Sequence, residues 1–329
     1  MPLAMTFAYR EWRYKQTFKI ARDTRKAAPL FVVHLSDGAF VGRGECGLQS
    51  LHGETRESVG TQLQEMQDRI GEIGTRENLN AAIAASSARN AVDCAFWDLE
   101  CKRSGKSVWE LAGLKKAERI EVDITIGINE LEKMRSDAEG AIERGYRLLK
   151  LKVDAESVLE KLSAIAACAQ GLRFIVDANE SWSMDQLRAL APQLKTLNVV
   201  LIEQPLRHCE DEALSQYDSP VPLCADESCA TRDGLDVLER RYDAVNIKLD
   251  KTGGLTEALA LARAARAQGM GLMMGCNGAT SLGNAPAFMV GSLCDWNDVD
   301  SHELLTEDRA SGMTTRNGHL YCFEPRLWG

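Results

Sequence analysis

The run RLLKLKVDA places Lys150 and Lys152 one residue apart inside an apolar, strand-like stretch. On a strand, residues two apart share a face, so the two ammonium groups point the same way while the neighbouring leucines point the other. Further along, charged residues close successive apolar runs: Asp177 in VDAN, Glu203 in IEQP, Asp226 in ADES, Lys248 in NIKLDKTGG, and Asp298 with Asp300 in DVD. From Lys152 to Lys248 the separations are 25, 26, 23 and 22 residues. Three acids brought side by side repel one another unless a cation lies among them. Asp177, Glu203 and Asp226 are hard oxygen donors with no His or Cys beside them, which suits Mg²⁺. Lys152 and Lys248 would flank that ion, and a lysine works as a base only where positive charge and burial lower its pKa. Lys150 and the metal would provide that field for Lys152. Two bases on either side of a metal suit removal of a proton next to a carboxylate, with Lys150 stabilising the enediolate, and return of a proton on the opposite face inverts the carbon.

The alternative for each acid taken singly is a helix N-cap after its strand, a common place for Asp. An isolated K-x-K is ordinarily a solvated surface. The common register of five such residues is what separates these readings, because one βα unit of a barrel takes roughly 30 residues or fewer, and equal spacing brings the side chains to one rim.

The elements that must position them begin near Glu121. Apolar runs EVDITIGI, LLKLKVD, LRFIVDAN, VVLIEQPL, VPLCADES, AVNIKLD, GLMMGCN and the more polar DWNDVDSH alternate with amphipathic helical segments. This pattern predicts parallel βαβ units and a (β/α)₈ barrel of the TIM type, spanning residues 119–308, with only a short helix after GCN. Ahead of it, residues 1–118 read as an α+β capping unit. Its strands TFAYREWRYK, PLFVVHLSDG and AFVGRGECG include a hairpin at Asp37-Gly38, and its helical tracts run near Glu57–Ile73 and Asn80–Ser104. The tail, residues 309–329, is expected to return to the cap.

The chain has 329 residues, 45% apolar and 26% charged, with a formal net charge of −9. That composition suits a soluble globule with a large core and disfavours nucleic-acid or anionic-membrane partners. No apolar run is long enough to span a bilayer. MPLAMTFAYREW lacks the basic-then-apolar layout of an export signal, and the ten cysteines contain no C-x-x-C pair. Free thiols in a reducing cytoplasm are therefore expected.

On KLK, VDAN, IEQP, ADES and NIKLDKTGG, together with GRGE and AVDCAFWDLECKRSGKSVWELAG in the cap, the chain resembles the enolase superfamily in its muconate-lactonising-enzyme-like branch. The likeness runs over nearly the whole sequence. It implies that Lys150 contacts a substrate carboxylate, Lys152 and Lys248 are acid/base catalysts, and Asp177, Glu203 and Asp226 bind Mg²⁺. Within the superfamily, Asp298 and Asp300 resemble the Asp-x-Asp of dipeptide epimerases, which binds a substrate α-ammonium; two carboxylates on one strand face make a good cation site. The implied substrate is a dipeptide of the L-Ala-D/L-Glu type, with an acidic second residue. Thr125 and Arg22 are carried with them as substrate contacts, Arg22 from the cap segment KIARDTRKAA, where Arg25 competes for the role. GCNGAT after the seventh strand departs from those enzymes, which more often carry Met and Glu there.

Other readings are weaker. Gly42, Gly44 and Gly47 spell G-x-G-x-x-G, but no helix opens after them and no βαβ unit follows, as a dinucleotide site requires. None of the five histidines falls at the end of strand seven, against the resemblance's racemase and dehydratase branches. A lyase of the same branch, of the o-succinylbenzoate synthase or cycloisomerase type, would need the same lysines and metal but not Asp298 and Asp300. A scaffold without catalysis would tolerate loss of Lys248. Oligomeric state is open, with self-association possible.

Overall fold

A computed structural model of the chain describes residues 2–20, 23–49, 53–169 and 171–329. Three antiparallel strands, β1 (Ala4–Ile20), β2 (Asp23–Ser36) and β3 (Val41–Cys46), form the first sheet, in the order β1-β2-β3. The β2–β3 connection turns at Asp37-Gly38, where Gly38 takes φ 91° and the Asp37 carboxylate accepts the Ala39 and Phe40 amides. The expected tract Asn80–Ser104 is divided into helices Arg76–Ala82 and Ser87–Ser104. The division falls at Ser86, whose hydroxyl caps the second helix by accepting the Arg89 amide. This second helix is buried on nearly every side, between the first sheet and the barrel.

The G-x-G-x-x-G of the sequence has its physical reason here. A Cβ on Gly42 would come within 2.1 Å of the Ala95 carbonyl oxygen, and one on Gly44 within 2.0 Å of that of Ala91. These glycines let β3 lie directly against the helix backbone.

Strand β4 (Arg119–Glu121) precedes eight parallel strands: β5 (Ile124–Ile126), β6 (Leu148–Lys152), β7 (Arg173–Asp177), β8 (Val199–Glu203), β9 (Leu223–Ala225), β10 (Ala244–Ile247), β11 (Gly271–Gly275) and β12 (Trp296–Asp298). They pair in sequence order from β5 to β12. The seam between last and first is joined by the Asp123 amide, which donates to the Asn297 carbonyl at 2.9 Å. The result is the TIM-type barrel that the strand–helix alternation predicted. Its interior is filled by Leu148, Ile175, Leu201, Cys224, Ala244 and Met273, one from each of six consecutive strands from β6 to β11. The intervening residues, such as Leu149, Leu151, Val176 and Ile202, pack outward under the helices.

Three local expectations change. EVDITIGI is not one strand: β4 leaves the barrel and pairs with β14 (His319–Tyr321), which pairs in turn with β13 (Thr315–Arg316). The helix after GCN is a full 11-residue element, Ser281–Gly291, capped by Thr280. Conversely the amphipathic segment TRDGLDVLERR between β9 and β10, expected as a helix like the other intervals, yields only Leu235–Leu238. The chain's last residues rest on the cap helix, where Trp328 Nε1 donates to the Cys94 carbonyl and the Gly329 amide to Asp98.

Buried polar contacts bind cap to barrel. Arg89 donates to the carbonyls of Gly253 (2.9 Å) and Thr252 (2.5 Å), and Asp93 accepts the amide and hydroxyl of Thr256. Among the described residues no helix is long and apolar enough to cross a membrane. All ten cysteines are free thiols, with Cys46, Cys94, Cys101, Cys224 and Cys229 buried.

Candidate active site

Lys150 and Lys152 project from β6 into the barrel, as the period of two requires. Lys150 is wholly buried, and its Nζ lies 2.6 Å from Asp298 Oδ2, 2.7 Å from Glu203 Oε2 and 3.1 Å from Asp177 Oδ2. Lys152 Nζ lies 2.5 Å from Asp177 Oδ2. Asp177 and Glu203 are direct partners in the β7–β8 register, and Asp226 follows β9 by one residue. Lys248 follows β10 by one residue and donates to Asp226 Oδ2 at 2.7 Å. Strand order thus puts Lys152 on one side of the three acids and Lys248 on the other. The side chain of Lys248 passes over Gly275 at the end of β11, where a Cβ would come within 2.9 Å of Lys248 Cε and 2.4 Å of Asn246 Oδ1. Only glycine leaves that path clear.

Asp177 caps no helix: its Oδ1 accepts the Asn179 amide in the loop after β7, Ser183 caps the helix that follows, and its Oδ2 faces the lysines. Burial works against ionisation of Asp177, yet Lys152 and Lys150 hold it below the usual carboxylate range. Asp226 is held well below that range against its own burial by Lys248 and Lys251. Glu203 goes the other way: burial and the Asp177 charge push it up to about 8. Lys150 stays firmly protonated, because Asp298, Glu203 and Asp177 outweigh the cost of burying it. Lys248 is also raised, with Asp226 and Glu203 outweighing burial. This is opposite to the lowering a base needs, because here Lys248 serves as counter-ion to the acids.

The fit to a hard divalent cation rests on the donors themselves. Asp177, Glu203 and Asp226 are buried oxygen donors, and Glu203 Oε2 makes no well-directed hydrogen bond although the Lys150 ammonium is close to it. Octahedral Mg²⁺ takes such a set and leaves positions for substrate oxygens.

Asp298 and Asp300 close the rim at β12, both buried. The Thr125 amide donates to Asp300 Oδ2 at 2.7 Å and its hydroxyl to Asp298 Oδ1 at 3.3 Å. Lys150 holds Asp298 low against its burial, whereas burial and the Asp298 charge push Asp300 up to about 7. A cavity of about 270 Å³ runs from Thr125 and Ile126–Asn129 to Tyr14–Thr17 of β1. Arg22 lies outside the described residues; Arg25 is half-buried on β2.

Two residues of the site were not singled out from sequence. Lys251 is buried, and its ammonium donates to Asp226 Oδ1 (2.7 Å), the Asp226 carbonyl (2.5 Å) and the Asn246 carbonyl (2.9 Å). Asn246 Nδ2 donates to Glu203 Oε1 at 2.8 Å. The available signals were the second lysine of NIKLDKTGG and an Asn inside an apolar strand.

Residues 4–113 match the model of the mandelate racemase/muconate lactonizing enzyme N-terminal domain, and residues 133–321 that of the enolase C-terminal domain-like family. The chain is 39% identical over 310 residues to an L-Ala-D/L-Glu epimerase of Escherichia coli (strain K12), covering 94% of this chain and 97% of that one. It is 42% identical over 247 residues to an N-acetyl-D-glutamate racemase of a Pseudoalteromonas species, covering 75% and 78%. A structure of an enolase family member from Agrobacterium tumefaciens, described as homologous to dipeptide epimerases and holding sodium and L-Ala-L-Glu, superposes over 100% of both chains with TM-score 0.96 at 38% identity. A dipeptide epimerase of Methylococcus capsulatus complexed with Mg and L-Arg-D-Lys does so over 100% and 99% with TM-score 0.92 at 25% identity.

Proposed function

The chain belongs to the mandelate racemase/muconate lactonizing enzyme family of the enolase superfamily, and on that premise we propose that it is a Mg²⁺-dependent dipeptide epimerase of the L-Ala-D/L-Glu type. The observation that carries this reading is the alternation at the barrel rim: Lys152 on β6 and Lys248 after β10 flank acids borne by the three strands between them. The Escherichia coli relative is named for substrates of this class, and the Agrobacterium tumefaciens structure holds one.

In the reaction, one lysine in its neutral form takes the α-proton next to the substrate carboxylate, and the other, protonated, returns a proton from the opposite face. The C–H electron pair passes into the carboxylate as an enediolate and comes back to form the new C–H bond. Lys150, fully buried and kept charged, stabilises the negative charge while it exists. Asp177, Glu203 and Asp226 would hold Mg²⁺, which would supply further positive charge for the substrate carboxylate. Asp298 and Asp300 receive the α-ammonium beside Thr125. An acidic second residue is the preferred side chain, with Arg22 as its pairing candidate, and the enzyme works in the cytoplasm.

A second reading, racemisation of N-acetylglutamate, is favoured by the Pseudoalteromonas relative. Two buried carboxylates where an uncharged acyl group would lie speak against it. Incubating L-Ala-L-Glu with the protein and Mg²⁺ in D₂O, followed by ¹H NMR and chiral chromatography, tests both. Deuterium at the glutamate α-carbon together with L-Ala-D-Glu is expected. Exchange of N-acetylglutamate but of no dipeptide would overturn the dipeptide assignment.

A further inference from the structure

Asp123 lies just before β5, at the seam where the first and last barrel strands meet. Its side chain is wholly buried, and neither carboxylate oxygen has a hydrogen-bond partner. One oxygen from each of Asp123, Asp298 and Asp300 lies within 4.8 Å of the others. Folded proteins leave few buried polar groups unsatisfied, and an unsatisfied carboxylate among like charges is among the costliest. Nothing in the proposed proton transfer uses Asp123. An unpartnered, fully buried acid aimed into a cluster of two others therefore marks a place for a cation that the fold itself does not supply.

The dimensions admit an ammonium. Three oxygens no more than 4.8 Å apart have a common point about 2.8 Å or less from each, the length of a charge-assisted N⁺–H···O⁻ bond. A primary ammonium has three protons, one for each carboxylate. Thr125, which donates to both Asp298 and Asp300, also lines the 270 Å³ cavity, so a single residue links the cluster to a space that can admit a small residue.

We propose that Asp123, Asp298 and Asp300 form a three-carboxylate pocket for the substrate's α-ammonium, in which Asp123 strengthens the hold on that ammonium and so favours dipeptides over N-acyl amino acids whose acyl group carries none. This rests on the dipeptide-epimerase reading and adds to it a residue outside the D-x-D pair.

The isosteric variant Asp123→Asn is compared with the unmutated protein on L-Ala-L-Glu and on N-propionyl-L-Glu, the same molecule without its amino group, by α-proton exchange in D₂O. Asp123→Asn should lower kcat/KM for L-Ala-L-Glu by about 100-fold, the cost of removing one partner from a buried charge pair, and leave the slow exchange of N-propionyl-L-Glu within about threefold. Equal losses on both compounds, or none on the dipeptide, would overturn the proposal. A second measurement needs neither turnover nor a variant. L-Alaninamide, but not propionamide, should shift the ¹³C carboxylate resonance of Asp123 in the unmutated protein. Failure of dipeptide turnover with that shift present would overturn the activity and keep the pocket; no shift, or a shift with Mg²⁺ alone, would overturn the pocket.

Discussion

Lys251→Met removes the ammonium that grips Asp226 from behind. In the native chain its three protons go to Asp226 Oδ1 at 2.7 Å, the Asp226 carbonyl at 2.5 Å and the Asn246 carbonyl at 2.9 Å, all out of contact with water. Methionine fills nearly the same volume and donates nothing, so two carbonyls and one carboxylate oxygen lose a donor. Leaving one partner of a buried ion pair uncompensated costs about 3–5 kcal/mol. Part of that cost is relieved because Lys248 still holds Asp226 Oδ2, so a loss of about 3 kcal/mol in unfolding free energy is expected, seen as a lower urea midpoint with unchanged slope. The sharper readout is metal affinity. Groups that orient a metal ligand are worth about 10–100-fold in binding, and Asp226 without Lys251 is free to turn its carboxylate away. Calorimetric titration with Mg²⁺ should therefore give a dissociation constant at least about tenfold weaker. Deleting a nearby positive charge, acting through Coulomb's law alone, would tighten binding instead. Tighter or unchanged Mg²⁺ affinity in a folded Lys251→Met protein would refute the orienting role.

Two further outcomes follow from the same geometry. Lys152→Ala should abolish α-proton exchange from one epimer of the dipeptide while sparing some from the other, and Lys248→Ala should show the reverse preference, each loss about 10²–10⁴-fold; identical losses for both epimers would mean that the lysines do not serve opposite faces. Glu203, raised to about 8 by burial and the Asp177 charge, is mostly protonated at pH 7 in metal-free protein. Mg²⁺ requires the carboxylate, so binding should release about 0.9 proton at pH 7 and almost none at pH 9.5, measured by calorimetry in buffers of different ionisation enthalpy. The sign for stability is the same: a group whose folded pKa is raised stabilises below its unfolded value and loses that contribution as pH rises through the folded one, so metal-free protein should weaken between about pH 4.5 and 8 on this account. Release that does not vary with pH would remove Glu203 from the metal site.

The rim was legible in the sequence because a barrel repeats: strand-end residues recur at the unit length, and Lys152, Asp177, Glu203, Asp226 and Lys248 kept that beat. What escaped reading lacked such periodicity. Lys251 acts through backbone carbonyls, whose positions no spacing rule gives, and Asp123 meets Asp298 only because β12 closes onto β5, residues more than half the chain apart. EVDITIGI read as one strand because alternation cannot tell which sheet each half will join; β14, almost 200 residues later, decides it.

Arg89 reaches from the N-terminal domain to the carbonyls of Thr252 and Gly253, a few residues past Lys248. The segment that carries Lys248, the proposed proton carrier, is thus braced by a part of the chain that contributes no reacting atom. A barrel excised at its own boundary would keep every residue of the proposed chemistry and lose the strut that aims one of them, so transplanting the rim onto another cap means transplanting this guanidinium as well.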